Sequence, residues 1–219
     1  MIFSRSTIDC KGSRPDWIGS RSIDRDQTTT QGEVVKAIHR LLIIGLVSVS
    51  CSSPVGAQPQ DTVLSGIVIT PEVRVTPYDR DDYSYPQSIE QRIIAQQGGI
   101  FSPYSLRCFS NRRETDIEHI VAVSEAHESG LSARTDEERK AFGNDLDNLT
   151  LAAPRLNRYQ KVAKDPAEWL PDNNRCWYVA KYIEIKRKYG LTMDRAEADA
   201  VSGVYESCKS FEMKKPVCN

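Results

Sequence analysis

The feature that most limits what this chain can fold into is the apolar run Leu41-Leu42-Ile43-Ile44-Gly45-Leu46-Val47-Ser48-Val49. Lys36, His39 and Arg40 precede it, and Val55-Gly56-Ala57 follows it with residues suited to cleavage after Ala57. A basic segment, a short apolar stretch and a small-residue exit together resemble a secretory signal peptide. The run is too short for a bilayer span, which needs about 20 apolar residues. Residues 1–57 are therefore expected to be an upstream segment plus leader, and residues 58–219 the folding domain. The polar stretch 1–33 is foreign to such a leader, so translation is expected to start near Val34 or Val35. Cys51 offers a lipoprotein reading, which Ser48 fits poorly three positions earlier.

An exported domain folds where thiols oxidise. Four cysteines follow the leader, Cys108, Cys176, Cys208 and Cys218. An even number in such a chain predicts two disulfides. Free buried thiols are the plain alternative, and zinc is disfavoured because no Cys-x-x-Cys pair exists. Without residues 1–57 the chain carries 22 cations against 25 anions, a formal charge of −3. Bulk charge thus gives no sign of a polyanionic partner, and any such contact must come from a local patch.

Val63 and Ile67–Ile69 suggest a short strand. The Asp-, Arg- and Tyr-rich stretch 78–85 reads as a loop. A helix is expected from Pro86 to about Gln97, with Ile89, Ile93 and Ile94 on one face and Gly98-Gly99 ending it. Tyr104–Phe109 and Thr115–Val121 read as two strands of a hairpin turning at Ser110–Arg112. Thr135 to Glu138 is a helix start leading to Phe142. Leu149–Leu151 is a short strand, Pro154 opens a helix, and Asp165 begins another short one. Asn174–Tyr189 and Asp194–Cys208 read as two helices, the second capped by Asp194 with Glu197. The loop between them is short, so they should pack antiparallel. That brings Cys176 to Cys208 and leaves Cys108 for Cys218. The expected fold class is α+β, a small, mostly helical domain with a C-terminal helical hairpin.

Two histidines survive leader removal, His119 and His127. His119 lies in Asp116-Ile117-Glu118-His119-Ile120-Val121, between acids and at the end of an expected strand. Strand alternation puts Asp116 and Glu118 on one face and His119 on the other, so the strand must end or twist there for all three to share a site. An imidazole with a pKa near 6.5 is the natural base at neutral pH, and carboxylate with Asn oxygens suits a hard divalent ion. His127 and Glu125 read as supporting residues, Glu125 as one that would orient His119 or bind a water behind the site. Lys186-Arg187-Lys188 sits at a helix C-terminus, where cations are favourable anyway.

Asp-Ile-Glu-His-Ile-Val, then Asn148-Leu149-Thr150-Leu151, then Asn157-Arg158 with Lys161 following, resembles the HNH (His-Me finger, ββα-metal) endonucleases. Glu125-Ala126-His127-Glu128-Ser129-Gly130 and Lys164-Asp165-Pro166-Ala167-Glu168-Trp169 are similar to the secreted members with a DUF1524, or GmrSD C-terminal, domain. The resemblance implies a ββα-metal finger embedded in the helical domain. It implies His119 as general base, Asn148 as the asparagine bracing the finger, and Glu118 and Asn157 as metal ligands with Asp116 accessory. Which of Asp116 and Glu118 binds directly stays open. The implied ion is Mg²⁺, with Mn²⁺ or Ca²⁺ as alternatives.

The expected activity is an exported, metal-dependent endonuclease of low sequence specificity, acting as a monomer on nucleic acid, DNA before RNA. Arg113, Arg155, Arg158 and Lys161 would neutralise phosphates, although a solvated charged face explains each cation equally well. The rival readings are a nuclease-fold binding protein without catalysis, whose sign would be a missing His or Asn, and an intracellular restriction-type HNH enzyme, against which the leader and paired cysteines argue.

Overall fold

The computed structural model describes residues 63–218. The expected leader, its start and Cys51 lie outside the described residues. A 3-10 turn at Arg80–Tyr83 comes first, then helix α1 (Ile89–Gln97) and strands β1 (Phe101–Ser102), β2 (Arg107–Cys108) and β3 (Asp116–His119). Helices α2 (Val123–Glu128) and α3 (Asp136–Gly143), strand β4 (Leu149–Ala152) and a π-helical turn at Leu156–Lys161 follow. Helices α4 (Arg175–Tyr189) and α5 (Arg195–Glu206) close the domain. The fold is α+β, with two small antiparallel ribbons among helices.

Local chemistry explains most boundaries. Thr135 caps α3 and Asp194 caps α5, each in a reciprocal box with the glutamate three residues on. Gly98 ends α1 in the left-handed region, at φ 85°. Ile89 and Ile93 of α1 pack on Ile117, Leu149 and Leu151. That small cluster gives β3 its apolar support, and it corrects the expected hairpin. β3 pairs with β4, in the register Ile117↔Leu151 and His119↔Leu149. Tyr104 instead drops into the main core, edge-on to Trp169 and Tyr178, and residues 110–114 form a turn capped by Asn111. The strand near Ile69 reduces to one bridge with Met193. The segment after Asp165 is a turn rather than a helix, its carboxylate taking the Ala167 and Glu168 amides.

The larger core lies between α4, α5 and the β3–β4 ribbon, around Tyr178, Tyr182, Ile185 and Val201. Both disulfides are formed, Cys176–Cys208 across the α4–α5 hairpin and Cys108–Cys218 from β2 to the tail. Closing loops of these lengths contributes about 2–4 kcal/mol each. The tail is also held by Asn174, which exchanges two hydrogen bonds with the Lys214 backbone. Among the described residues no helix is long and apolar enough to cross a membrane.

Candidate active site

β3 ends at His119, and the chain turns sharply there. Asn148 makes that turn. Its carbonyl accepts from Ile120 N (2.8 Å), and its buried side chain takes the Val121 N–H (2.8 Å) and donates to the Val121 carbonyl (3.2 Å). The amide thus satisfies buried backbone groups that β4 cannot reach. The result is a cleft of about 390 Å³ whose walls include Arg80, Glu118, His119, Asn157 and Arg158.

His119 is buried and its ring lies parallel to Phe142. Its Nε2 donates to the Gly143 carbonyl at 3.0 Å. A carbonyl only accepts, so Nε2 carries the proton and Nδ1 keeps a lone pair. Burial lowers the imidazole pKa to about 4; the Gly143 bond opposes this and the Lys161 and Arg80 charges reinforce it. At neutral pH the ring is therefore uncharged.

Glu118 is also buried, and burial raises its pKa while Lys161 and Arg80 pull it back. Lys161 Nζ lies 2.6 Å from Glu118 Oε1 and donates to the His119 carbonyl at 2.9 Å. The ammonium faces Oε1 off the hydrogen-bonding direction, so that oxygen has charge compensation but no aligned donor. Asp116 is held differently. Arg158 grips both its oxygens, at 2.7 and 2.8 Å, and Asn157 Nδ2 donates at 3.2 Å.

The turn carrying these residues is unusual. It widens to π geometry, closing with Val162 N on the Asn157 carbonyl at 3.0 Å. Such turns often mark functional sites. Val162 emerges at φ 52°, a costly conformation for a β-branched residue.

Several expectations shift on this geometry. Asp116 and Asn157 meet one another, and Glu118, His119 and Asn157 share the cleft. Lys161 is fully buried and meets a carboxylate instead of standing on a cationic rim. Arg158 lines the cleft but is committed to Asp116. Arg113 and Arg155 are exposed outside the cleft wall. Glu125 turns away from His119 to Lys186, at 2.5 Å, because α2 presents it to α4. His127 Nδ1 bonds the Tyr83 hydroxyl at 2.8 Å and is structural.

Two contributors were not legible as site residues. Gly143 presents its carbonyl to His119, and a Cβ there would stand 2.1 Å from the Tyr83 carbonyl oxygen. Arg80 reaches the cleft from the 3-10 turn. The one sequence signal for that turn is Asp79, an N-cap residue whose Oδ1 takes the Asp81 amide.

The donor chemistry can be tested against a metal. Among the described residues no group of three His, Cys, Asp or Glu side chains could hold one, so a zinc-type cage is not formed. Mg²⁺ needs less, binding through one or two protein oxygens plus water and phosphate. Glu118 lines the cleft with its Oε1 buried against Lys161, which leaves Oε2 as its donor atom. Asn157 has its Nδ2 committed to Asp116, which leaves its Oδ1 as the donor atom. The residues fit a hard, largely hydrated ion.

Fold and cleft together define a small, disulfide-braced α+β domain with an uncharged histidine beside oxygen donors. The chain belongs to the family of GmrSD restriction endonucleases, C-terminal domain, whose model matches residues 74–204, more than half its length. It is also 27% identical over 175 residues to an uncharacterized secreted protein of Arthroderma benhamiae, covering 69% of this chain and 86% of that relative. No solved structure matches.

Proposed function

We propose that this chain is an exported nuclease that hydrolyses phosphodiester bonds of nucleic acid, DNA before RNA, as a monomer with little sequence preference. The observation that carries the reading is His119: uncharged, pinned through Nε2 to Gly143, and lining the same cleft as Glu118 and Asn157. Family membership supports nuclease chemistry. The leader-like segment, both disulfides and a relative described as secreted support export.

The chemistry follows from the residues. His119 Nδ1 takes a proton from a water in the cleft. The hydroxide oxygen attacks phosphorus in line, the bond to the 3′ oxygen breaks, and that oxygen is protonated from solvent. Products carry 5′-phosphate and 3′-hydroxyl ends. Asn148 holds the backbone turn that aims His119, and Gly143 holds the ring and its tautomer. Glu118 and Asn157, with Asp116 accessory, would hold a divalent ion, Mg²⁺ before Mn²⁺ or Ca²⁺, which when bound supplies positive charge to the phosphate and the leaving oxygen. Asp116 keeps Asn157 oriented by accepting from its Nδ2.

The test is to incubate residues 58–219, oxidised, with plasmid, single-stranded DNA and RNA, in Mg²⁺ and in EDTA. Cleavage in Mg²⁺ alone is expected. Intact substrates in every arm would overturn the reading.

A further inference from the structure

We propose that Arg80 is the residue that grips the substrate phosphate in the His119 cleft. The inference rests on the phosphodiester reading above and goes beyond it, because neither the family motif nor the cation-rich π turn points to Arg80.

The case begins with which cations are free. Asp116 occupies the Nε–Nη2 edge of the Arg158 guanidinium. Glu118 and the His119 carbonyl occupy Lys161, which has no exposed surface. Lys161 is therefore spent on a carboxylate, and Arg158 keeps only its Nη1 side for a phosphate. Arg80 is exposed and makes no ion pair among the described residues. Of its acidic neighbours, Asp79 takes the Asp81 amide, Asp82 lies 3.3 Å from Arg139 Nε, and Asp81 is exposed and forms no ion pair with Arg80. The Arg80 side chain borders the main cleft and the two adjoining hollows, one on the Tyr85 and Asp116 side and one beside Ser84 and Val123. Its charge is felt at both Glu118 and His119.

Position matters as much as charge, and the Arg80 turn is anchored. Tyr83 is buried and bonds His127 Nδ1 at 2.8 Å. The turn's backbone lies against Gly143 so closely that a Cβ would meet the Tyr83 carbonyl oxygen at 2.1 Å. Gly143 is the residue whose carbonyl holds His119. The base and the backbone turn that carries Arg80 are thus fastened to one residue, which sets the guanidinium within reach of the cleft. A planar guanidinium in that position can donate two parallel bonds to phosphate oxygens as charge builds on them.

Two measurements on the oxidised chain test this. The first is binding of a short fluorescein-labelled DNA in EDTA, as a function of salt, by wild type, Arg80→Ala, Arg80→Lys and the remote exposed variant Arg195→Ala. Arg80→Ala is expected to weaken binding several-fold and to lower the salt slope by about one charge, whereas Arg195→Ala leaves both unchanged. The second is single-turnover cleavage with Mg²⁺. Arg80→Ala should lose about 10²–10³-fold in rate, with part regained in Arg80→Lys and by added guanidinium, at an unchanged melting temperature. Wild-type binding, slope and rate in Arg80→Ala would overturn the proposal. An Arg80-dependent salt slope with no cleavage by wild type would instead leave Arg80 as a phosphate contact and remove the nuclease reading.

Discussion

Lys161 and Lys186 are both wholly buried, and their surroundings differ in a way that separates the site from its support. Lys186 projects from α4 into a closed nest of Glu125 (2.5 Å), Glu197 (3.0 Å) and the Thr192 carbonyl (2.9 Å), with the Tyr182 ring at 5.5 Å. Two carboxylates face one ammonium there. Burial first, and then the Glu125 charge, push Glu197 up to about 7 against the pull of Lys186, so a proton absorbs part of the excess charge. Lys161 faces one carboxylate, and that carboxylate borders an open cleft. The first arrangement ties α2, α4 and α5 together. The second leaves Glu118 buried at the edge of the cleft, as the proposed reacting site requires and a brace does not.

The largest effect that would break this contrast is on stability. Lys186→Met should cost about 3–5 kcal/mol in urea unfolding, because it strands two carboxylates away from water. Lys161→Met should cost less, about 1.5–3 kcal/mol, since Glu118 gains hydration from the cleft. Equal losses would mean that both lysines are braces.

A smaller difference lies in pH dependence. Glu197 has a raised pKa, so the fold holds its proton more tightly than the unfolded chain. Its stabilising contribution is full below pH 4.5 and is lost as pH rises through about 7. His119 has a lowered pKa, so stability falls as pH drops from 6.5 towards about 4. Each slope is at most about 1.4 kcal/mol per pH unit. The two windows overlap with opposite slopes, so in unfolding series Glu197→Gln should make stability rise more steeply with pH between about 4.5 and 6.5 and His119→Phe should make it fall more steeply; the opposite pair of changes would reverse the assignments. The smallest effect belongs to the Asp116–Arg158 pair, where Arg158 is largely exposed. Arg158→Ala should cost under about 1 kcal/mol of stability, while changing how Asn157 is oriented.

The contrast also marks what was readable in the chain. Helices α1, α3, α4 and α5 were legible because caps and apolar spacing are local signals, and the cysteine pairing followed from the helical hairpin. The partner of β3 was not. Thr115–Val121 is a strand by its own composition, but its choice of Leu149–Ala152 depends on Ile89 and Ile93 arriving from another element. Lys186 reads as a favourable helix-end cation until α2 and α5 deliver carboxylates to it. Lys161 reads as a phosphate contact until the π turn directs it inward. Arg80 and Gly143 carry no chemical motif at all, and their roles come from the approach of the 3-10 turn to the end of α3.

The central claim is that His119 acts as the base in its uncharged, Gly143-bound form. The direct measurement is single-turnover DNA cleavage with Mg²⁺ by wild type and His119→Ala, both checked for an intact fold. The account predicts that the variant loses about 10²–10⁴-fold in rate while still binding DNA. Undiminished Mg²⁺-dependent cutting by His119→Ala would contradict it.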